Sequence, residues 1–107
     1  WTKIFNFPNG FTVHLVRKKI DSGKILFQKK INTRFKSMIE FYLYIYEKSP
    51  NYLTQSIFNL KNQRYIKVNY KKSVFSIPKK SEYKKFLDCG GKIIHINDFF
   101  NISKIIK

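Results

Sequence analysis

The chain has 107 residues and carries 22 Lys+Arg against 6 Asp+Glu, a formal net charge of +16. That length suits one domain, or one domain with an arm, and buries a modest core without a disulfide staple. One cysteine, Cys89, and two histidines, His14 and His95, exclude a disulfide scaffold and the four-ligand zinc frameworks. Six acids serve paired-carboxylate catalysis poorly, and Asp21, Asp88 and Asp98 sit in turn-like stretches. No enzymatic activity, catalytic metal or cofactor is expected. Apolar runs such as residues 41–46 are too short to cross a bilayer. No cleavable signal peptide is readable at the front. The chain opens on Trp1 and its only methionine is Met38, as in a piece of a longer protein or one that starts by an unusual route.

Residues 1–33 read as β. Pro8-Asn9-Gly10 is a turn signal, and Phe11-Thr12-Val13-His14-Leu15-Val16 is rich in strand formers. Asp21-Ser22-Gly23 is a second turn before Lys24-Ile25-Leu26-Phe27. The simplest account is two strands joined by a basic hairpin bearing Arg17, Lys18 and Lys19, a tip that suits nucleic acid or simply a soluble edge.

Residues 34–48 read as a helix, with Phe35, Met38, Ile39, Tyr42, Leu43 and Tyr46 on one stripe. Thr33 or Asn32 is placed to cap its start, and Ser49-Pro50-Asn51 ends it, since proline disfavours helix in the residue before it. Residues 52–63 read as a shorter helix with Leu53, Ile57, Phe58 and Leu60 as its apolar stripe. So short a connection predicts a helix hairpin, with Leu43, Ile57 and Leu60 buried.

Residues 65–77 return to β character around a basic turn at Lys71-Lys72, and Pro78 stops the run. Lys79 to Lys85 is a charged stretch with room for one helical turn. Cys89-Gly90-Gly91 is a tight turn into a final strand, Lys92-Ile93-Ile94-His95-Ile96, which sets His95 facing outward. The expected division is a basic β-hairpin arm at 1–33, a module at 34–97 and a basic tail at 98–107. The fold class is α+β, an N-terminal hairpin arm followed by a helix hairpin packed on a small antiparallel sheet.

There is no alanine, and Lys, Ile, Phe, Asn and Tyr fill 61 of the 107 positions. All five have AT-rich codons, which points to an AT-rich genome, organellar or of a parasite nucleus. A sequence pI near 10.1 with 18% aromatics is the footprint of a nucleic-acid binder, because Lys and Arg release counterions from phosphates. The aromatics Phe41, Tyr42, Tyr44 and Tyr46 read as core rather than as a base-stacking platform. An anionic membrane is the weaker partner, for want of a long basic amphipathic helix.

From residue 40 to 96 the order is helix, turn, helix, strand ending in Val68-Asn69, basic turn, Ile77-Pro78, then Gly90-Gly91 and a strand. This resembles the αL RNA-binding domain of the small-subunit ribosomal protein four family. Arg64-Tyr65-Ile66-Lys67-Val68-Asn69-Tyr70 stands where that family has a glycine-histidine-isoleucine-x-valine-asparagine-glycine strand, and Ser76-Ile77-Pro78-Lys79 lies near its isoleucine-proline-serine element. The family's first-helix arginine-leucine-aspartate triplet has no clean counterpart, and the segment between Pro78 and Gly90 is longer. The resemblance covers about half the chain. It implies a structural protein that binds ribosomal RNA beside neighbouring ribosomal proteins, in a mitochondrial or other organellar small subunit. Structured RNA is read largely by shape, backbone and 2′-hydroxyl contacts, which a rigid basic surface supplies.

The candidate RNA-binding residues are Arg64, Lys67, Asn69, Tyr70, Lys71, Lys72 and Lys79, expected along one edge, with Arg17, Lys18 and Lys19 at the hairpin tip. Asn69 either contacts RNA or bonds its own backbone in a turn. Arg64 either forks onto a phosphate or favours the helix C-terminus. The alternative is a sequence-specific DNA-binding domain of methyl-CpG-binding or plant AP-two type, with a three-stranded sheet and a helix over residues 1–48. Trp1-Thr2-Lys3 and the run from Phe35-Lys36-Ser37 to Glu40 suggest it. A third reading, an RNA-modifying enzyme such as a pseudouridine synthase carrying an αL module, needs a catalytic domain that these residues do not form.

Overall fold

The computed structural model describes residues 1–19, 22–68 and 75–106. Its architecture is α+β, with a two-stranded antiparallel sheet and three helices. In chain order these are β1 (Asn9–His14), β2 (Ile25–Ile31), α1 (Met38–Lys61), α2 (Lys80–Asp88) and α3 (Ile96–Ile106). The chain divides into two compact units. The first comprises Trp1–Phe7, Thr33–Tyr44 and Ser73–Lys107; the second comprises Pro8–Asn32 and Ile45–Lys72. Helix α1 contributes its first turns to one and the rest to the other.

The second unit is built on the hairpin that the strand-forming residues and turn signals predict. Asn9 pairs with Ile31 and the register runs evenly to Val13 opposite Phe27, then slips so that His14 faces Ile25. Leu26 is the extra residue of this bulge, and a bulge leaves a backbone group outside the ladder. The Leu26 carbonyl accepts a 2.8 Å hydrogen bond from Asn59 Nδ2 of α1 instead. Alternation along the strands sends Phe11, Val13, Phe27 and Ile31 to one face and Thr12, Gln28 and Lys30 to the other. Tyr52 of α1 lies against the first face, 4.9 Å from the Phe27 ring and 5.1 Å from Phe11.

The face α1 turns to the hairpin is therefore Tyr52, Ser56 and Asn59, spaced i, i+4, i+7. Ser56 is 2% exposed, and its hydroxyl donates to the Tyr52 carbonyl. The apolar stripe predicted for burial points elsewhere: Leu53, Ile57, Phe58 and Leu60 are all exposed, and Leu43 is half-buried. Small polar residues let the helix approach the strands closely and give the bulge its donor, which an aliphatic stripe cannot do. Among the described residues Leu26 and Ile31 are the only buried large apolar side chains.

The predicted helix hairpin is one helix. Pro50 lies inside α1, where its missing N–H orphans the Tyr46 carbonyl. The Ser49 hydroxyl donates to that carbonyl at 3.1 Å, and Thr54 donates to the Pro50 carbonyl at 2.9 Å. With the orphan acceptor satisfied locally, the helix continues through the proline. It ends at Lys61, and Gln63, with a positive φ of 51°, completes a Schellman turn closed by Arg64 N–H to Asn59 O and Gln63 N–H to Leu60 O.

The first unit differs more from the sequence expectations. Residues 1–6 form turns, not a strand: Phe5 N–H bonds Trp1 O, Phe7 N–H bonds Thr2 O, and Asn6 takes the left-handed conformation that asparagine tolerates. The three-stranded sheet of the DNA-binding alternative is absent among the described residues. The segment 65–68 and 75–77 holds no strand beyond an isolated bridge at Ile66. The charged stretch is a full helix, α2, closed by Gly90 at φ 75° and by Gly91 N–H to Phe86 O. Gly91 is required there, since a Cβ would sit 2.3 Å from the Phe86 ring.

The expected closing strand 92–96 is not one, because its carbonyls cap a helix. Met38 N–H bonds Lys92 O and Ile39 N–H bonds Ile93 O, satisfying the first orphan donors of α1. Residues 98–106, expected as a tail, lie in α3, and His95 is the half-buried residue before it.

Candidate nucleic-acid interface

All three helices start with an acid at their third residue. Glu40, Glu82 and Asp98 occupy that position in α1, α2 and α3. Glu82 Oε2 accepts from the Lys79 backbone N–H at 2.6 Å, and Asp98 Oδ2 accepts from the His95 N–H at 2.6 Å. Ser37 caps α1 by accepting from Glu40 N–H at 3.0 Å and donates to Asp98 Oδ2 at 2.7 Å. Carboxylates at helix N-termini are stabilised by orphan N–H groups and by the helix dipole. Half of the six acids are thus committed to capping. Between described residues a single ion pair forms, Lys48 to Glu47.

In the second unit one group of basic residues lies at the loop end of the hairpin. Leu15 N–H bonds Lys24 O and closes the base of the loop, and the Ser22 hydroxyl bonds Lys19 O at 2.7 Å. Gly23 permits the closure, since a Cβ on it would overlap the Leu15 carbonyl. Arg17, Lys18 and Lys19 stand exposed on that loop, and the loop's acid, Asp21, lies outside the described residues.

The chain after α1 returns to the same place. Ile66 forms an antiparallel bridge to Ile25, with Ile66 N–H bonded to Ile25 O at 2.8 Å. That register sets Lys67 beside Lys24. The Lys24 ammonium stands 4.3 Å from the centroid of the Tyr65 ring, and the Arg64 guanidinium lies 5.6 Å from that of Phe58. Stacking on an aromatic face holds an arginine while leaving the in-plane N–H fork free for phosphate oxygens.

The structure thus attaches Arg64 and Lys67 to the end of the hairpin that carries Arg17, Lys18 and Lys19. Lys79 belongs to the first unit, exposed at the start of α2. Asn69, Tyr70, Lys71 and Lys72 lie outside the described residues. Sequence reasoning missed Lys24, although its place after a glycine turn marked it as a hairpin-end residue. It also passed over the Ser37-x-x-Glu40 spacing, a capping signature that places the α1 start at 38 rather than 34.

Among the described residues no cluster of His, Cys, Asp or Glu is arranged to hold a metal. His95 Nδ1 accepts from the Asn97 N–H, and Cys89 is an exposed residue at the end of α2. Among the described residues no helix is long and apolar enough to cross a membrane. Of the aromatics expected in the core, Phe41 and Tyr44 pack half-buried on Phe35, while Tyr42 and Tyr46 are exposed. No protein-family model, no curated protein and no solved structure matches this chain.

Proposed function

We propose that this protein is a structural RNA-binding protein, acting by phosphate neutralisation and without a catalytic step. The observation that carries the reading is the uncompensated cationic surface: an excess of +16 in which the helix starts consume half of the acids. Such a surface repels itself and is relieved by a polyanion. The hairpin end, with Arg17, Lys18, Lys19, Lys24, Arg64 and Lys67, is the face proposed to meet it.

The RNA proposed is ribosomal, in an organellar small subunit and beside other ribosomal proteins. The absence of alanine and the AT-coded composition support the organellar setting. The sequence resemblance of Arg64–Tyr70 and Ser76–Lys79 to the αL family supports the ribosomal one. The helix-hairpin order adds no support, since the hairpin expected of it is the single helix α1.

The test is equilibrium binding to structured RNA across a salt series. Six phosphate contacts give a log–log slope of about −4 to −5, at roughly 0.7 to 0.9 per contact. Replacing Arg17, Lys18 and Lys19 with Gln should flatten the slope by about 2 to 3 units. A salt-insensitive affinity, or a triple variant that binds as the parent does at every salt, refutes the reading. Tighter binding to a DNA of the same sequence transfers it to the DNA class.

A further inference from the structure

In the first unit, four aromatic rings form a cluster. Trp1 stacks on Phe75 at 5.2 Å between centroids and 28° between planes, and on Phe5 at 5.9 Å and 20°. Phe5 stacks in turn on Phe7 at 5.6 Å and 25°, and lies 5.7 Å from Phe75. The turn over residues 1–6 brings Phe5 and Phe7 to the same side, and Trp1 Nε1 donates to the Ser76 carbonyl at 3.1 Å, which fixes the indole. This is not a core. Phe5 is 49% exposed, Phe7 50% and Phe75 43%.

The geometry points to a stacking platform for unpaired nucleobases of RNA, built from Trp1, Phe5, Phe7 and Phe75. The inference rests on the RNA-binding reading and names the part of the RNA that this second surface takes. The rings form a compact cluster, Phe75 lying 5.7 Å from Phe5 at 33° and 6.4 Å from Phe7 at 56°, and a base stacks on their exposed faces whatever its identity, since every base has a π-face. The charge around the cluster selects this occupant. Lys3 lies in the same turn, Lys79 and Lys80 follow Ser76 closely, and no acid interrupts residues 1–7 or 75–81. A single strand presents flat apolar bases joined by anionic phosphates, which matches rings interleaved with lysines. A duplex stacks its bases on one another and offers phosphates, 2′-hydroxyls and groove edges instead of π-faces.

Trp1 is the only tryptophan, so its emission reports on the platform alone. The full chain is titrated with a short unpaired oligoadenylate and, separately, with the same strand annealed to oligouridylate. The expected result is quenching of Trp1 by the single strand and little change with the duplex. Phe5→Leu with Phe7→Leu keeps apolar bulk and removes two rings. It should weaken the single strand by about tenfold or more, stacking being worth about 5- to 150-fold per base, and leave duplex affinity and the salt slope unchanged. Exchanging Arg17, Lys18 and Lys19 for Gln should flatten the salt slope and leave Trp1 quenching at saturation intact. If RNA binds with a steep salt slope while Trp1 emission stays constant and the Leu variant binds as the parent does, the platform is refuted and the RNA-binding reading stands. If neither RNA binds, both fall.

Discussion

Asp98 is 2% exposed, and its replacement measures how the first unit is held together. Its Oδ2 accepts from the Ser37 hydroxyl at 2.7 Å and from the His95 N–H at 2.6 Å, while Ser37 Oγ accepts from Glu40 N–H. One carboxylate thus joins the starts of α1 and α3, and both helix dipoles favour its charge. Hydrogen bonds to a charged group contribute about 1.5–3 kcal/mol each, so Asp98→Ala should cost about 3–5 kcal/mol. It leaves the Ser37 hydroxyl and the His95 N–H without their acceptor. Asp98→Asn keeps an oxygen in place for both donors and loses only the charge-assisted part, about 1–2 kcal/mol.

Trp1 belongs to the same unit as Ser37 and Asp98, so urea unfolding followed by its emission reads this unit directly. A domain of this size has about 5–15 kcal/mol in all, so a loss of about 3–5 kcal/mol should lower the urea midpoint markedly and, at the low end of that range, leave the unit close to unfolded. Ser37→Ala and the double variant complete a cycle whose coupling should be about 1 kcal/mol or more. An Asp98→Ala protein within about 0.5 kcal/mol of the parent, or an Asn variant as damaged as the Ala variant, refutes this account of the junction.

Pro50→Ala should stabilise the protein by about 1–3 kcal/mol in urea melts, because it restores a backbone donor inside α1; a loss of stability would mean that the helix is broken there. Ser49→Ala should cost about 1 kcal/mol, since the Tyr46 carbonyl then has no donor. Gln63→Gly relieves a left-handed residue at the end of α1 and should add about 1 kcal/mol, read as a raised urea midpoint. Gly23→Ala drives a Cβ into the Leu15 backbone; about 1–3 kcal/mol lost, with weaker RNA binding through the displaced Arg17–Lys19 loop, is the expected result.

The hairpin was legible because its signals are local. Pro8-Asn9-Gly10, the β-branched and aromatic residues after it and Ser22-Gly23 all act within a few positions, and the pairing of Asn9 with Ile31 follows. The front half of α1 was legible by its period. What failed did so where a side-chain hydrogen bond or a distant partner decides. Pro50 reads as a stop until the Ser49 hydroxyl is seen on the Tyr46 carbonyl. Ile93, Ile94 and Ile96 read as a strand until the 92 and 93 carbonyls are seen bonded to the start of α1. Leu53, Ile57 and Leu60 define the more apolar stripe of their helix, yet Asn59 decides which side faces the hairpin, because only it reaches the carbonyl the bulge leaves free. For the candidate interface, residue type marked Arg17, Lys18, Lys19, Arg64 and Lys67, but the Ile25–Ile66 bridge that seats 64–67 beside Lys24 has no local signature.

The acids link the fold to the proposed function. In a chain with 22 cationic side chains, each carboxylate placed on the surface would cancel one cation by pairing with it. Glu40, Glu82 and Asp98 are placed instead where backbone N–H groups converge, and Asp98 is buried outright. There they stabilise helix starts that few buried apolar side chains support, Leu26 and Ile31 being the only buried large ones among the described residues. Among the described residues, no carboxylate pairs with the lysines and arginines of the hairpin end. Surface ion pairs contribute about 0–1 kcal/mol each, so forgoing them sacrifices little stability. Each phosphate met by an unpaired cation instead adds a counterion-release increment to binding. Scarce acids used as caps are therefore consistent with a fold that leaves its positive charge for RNA.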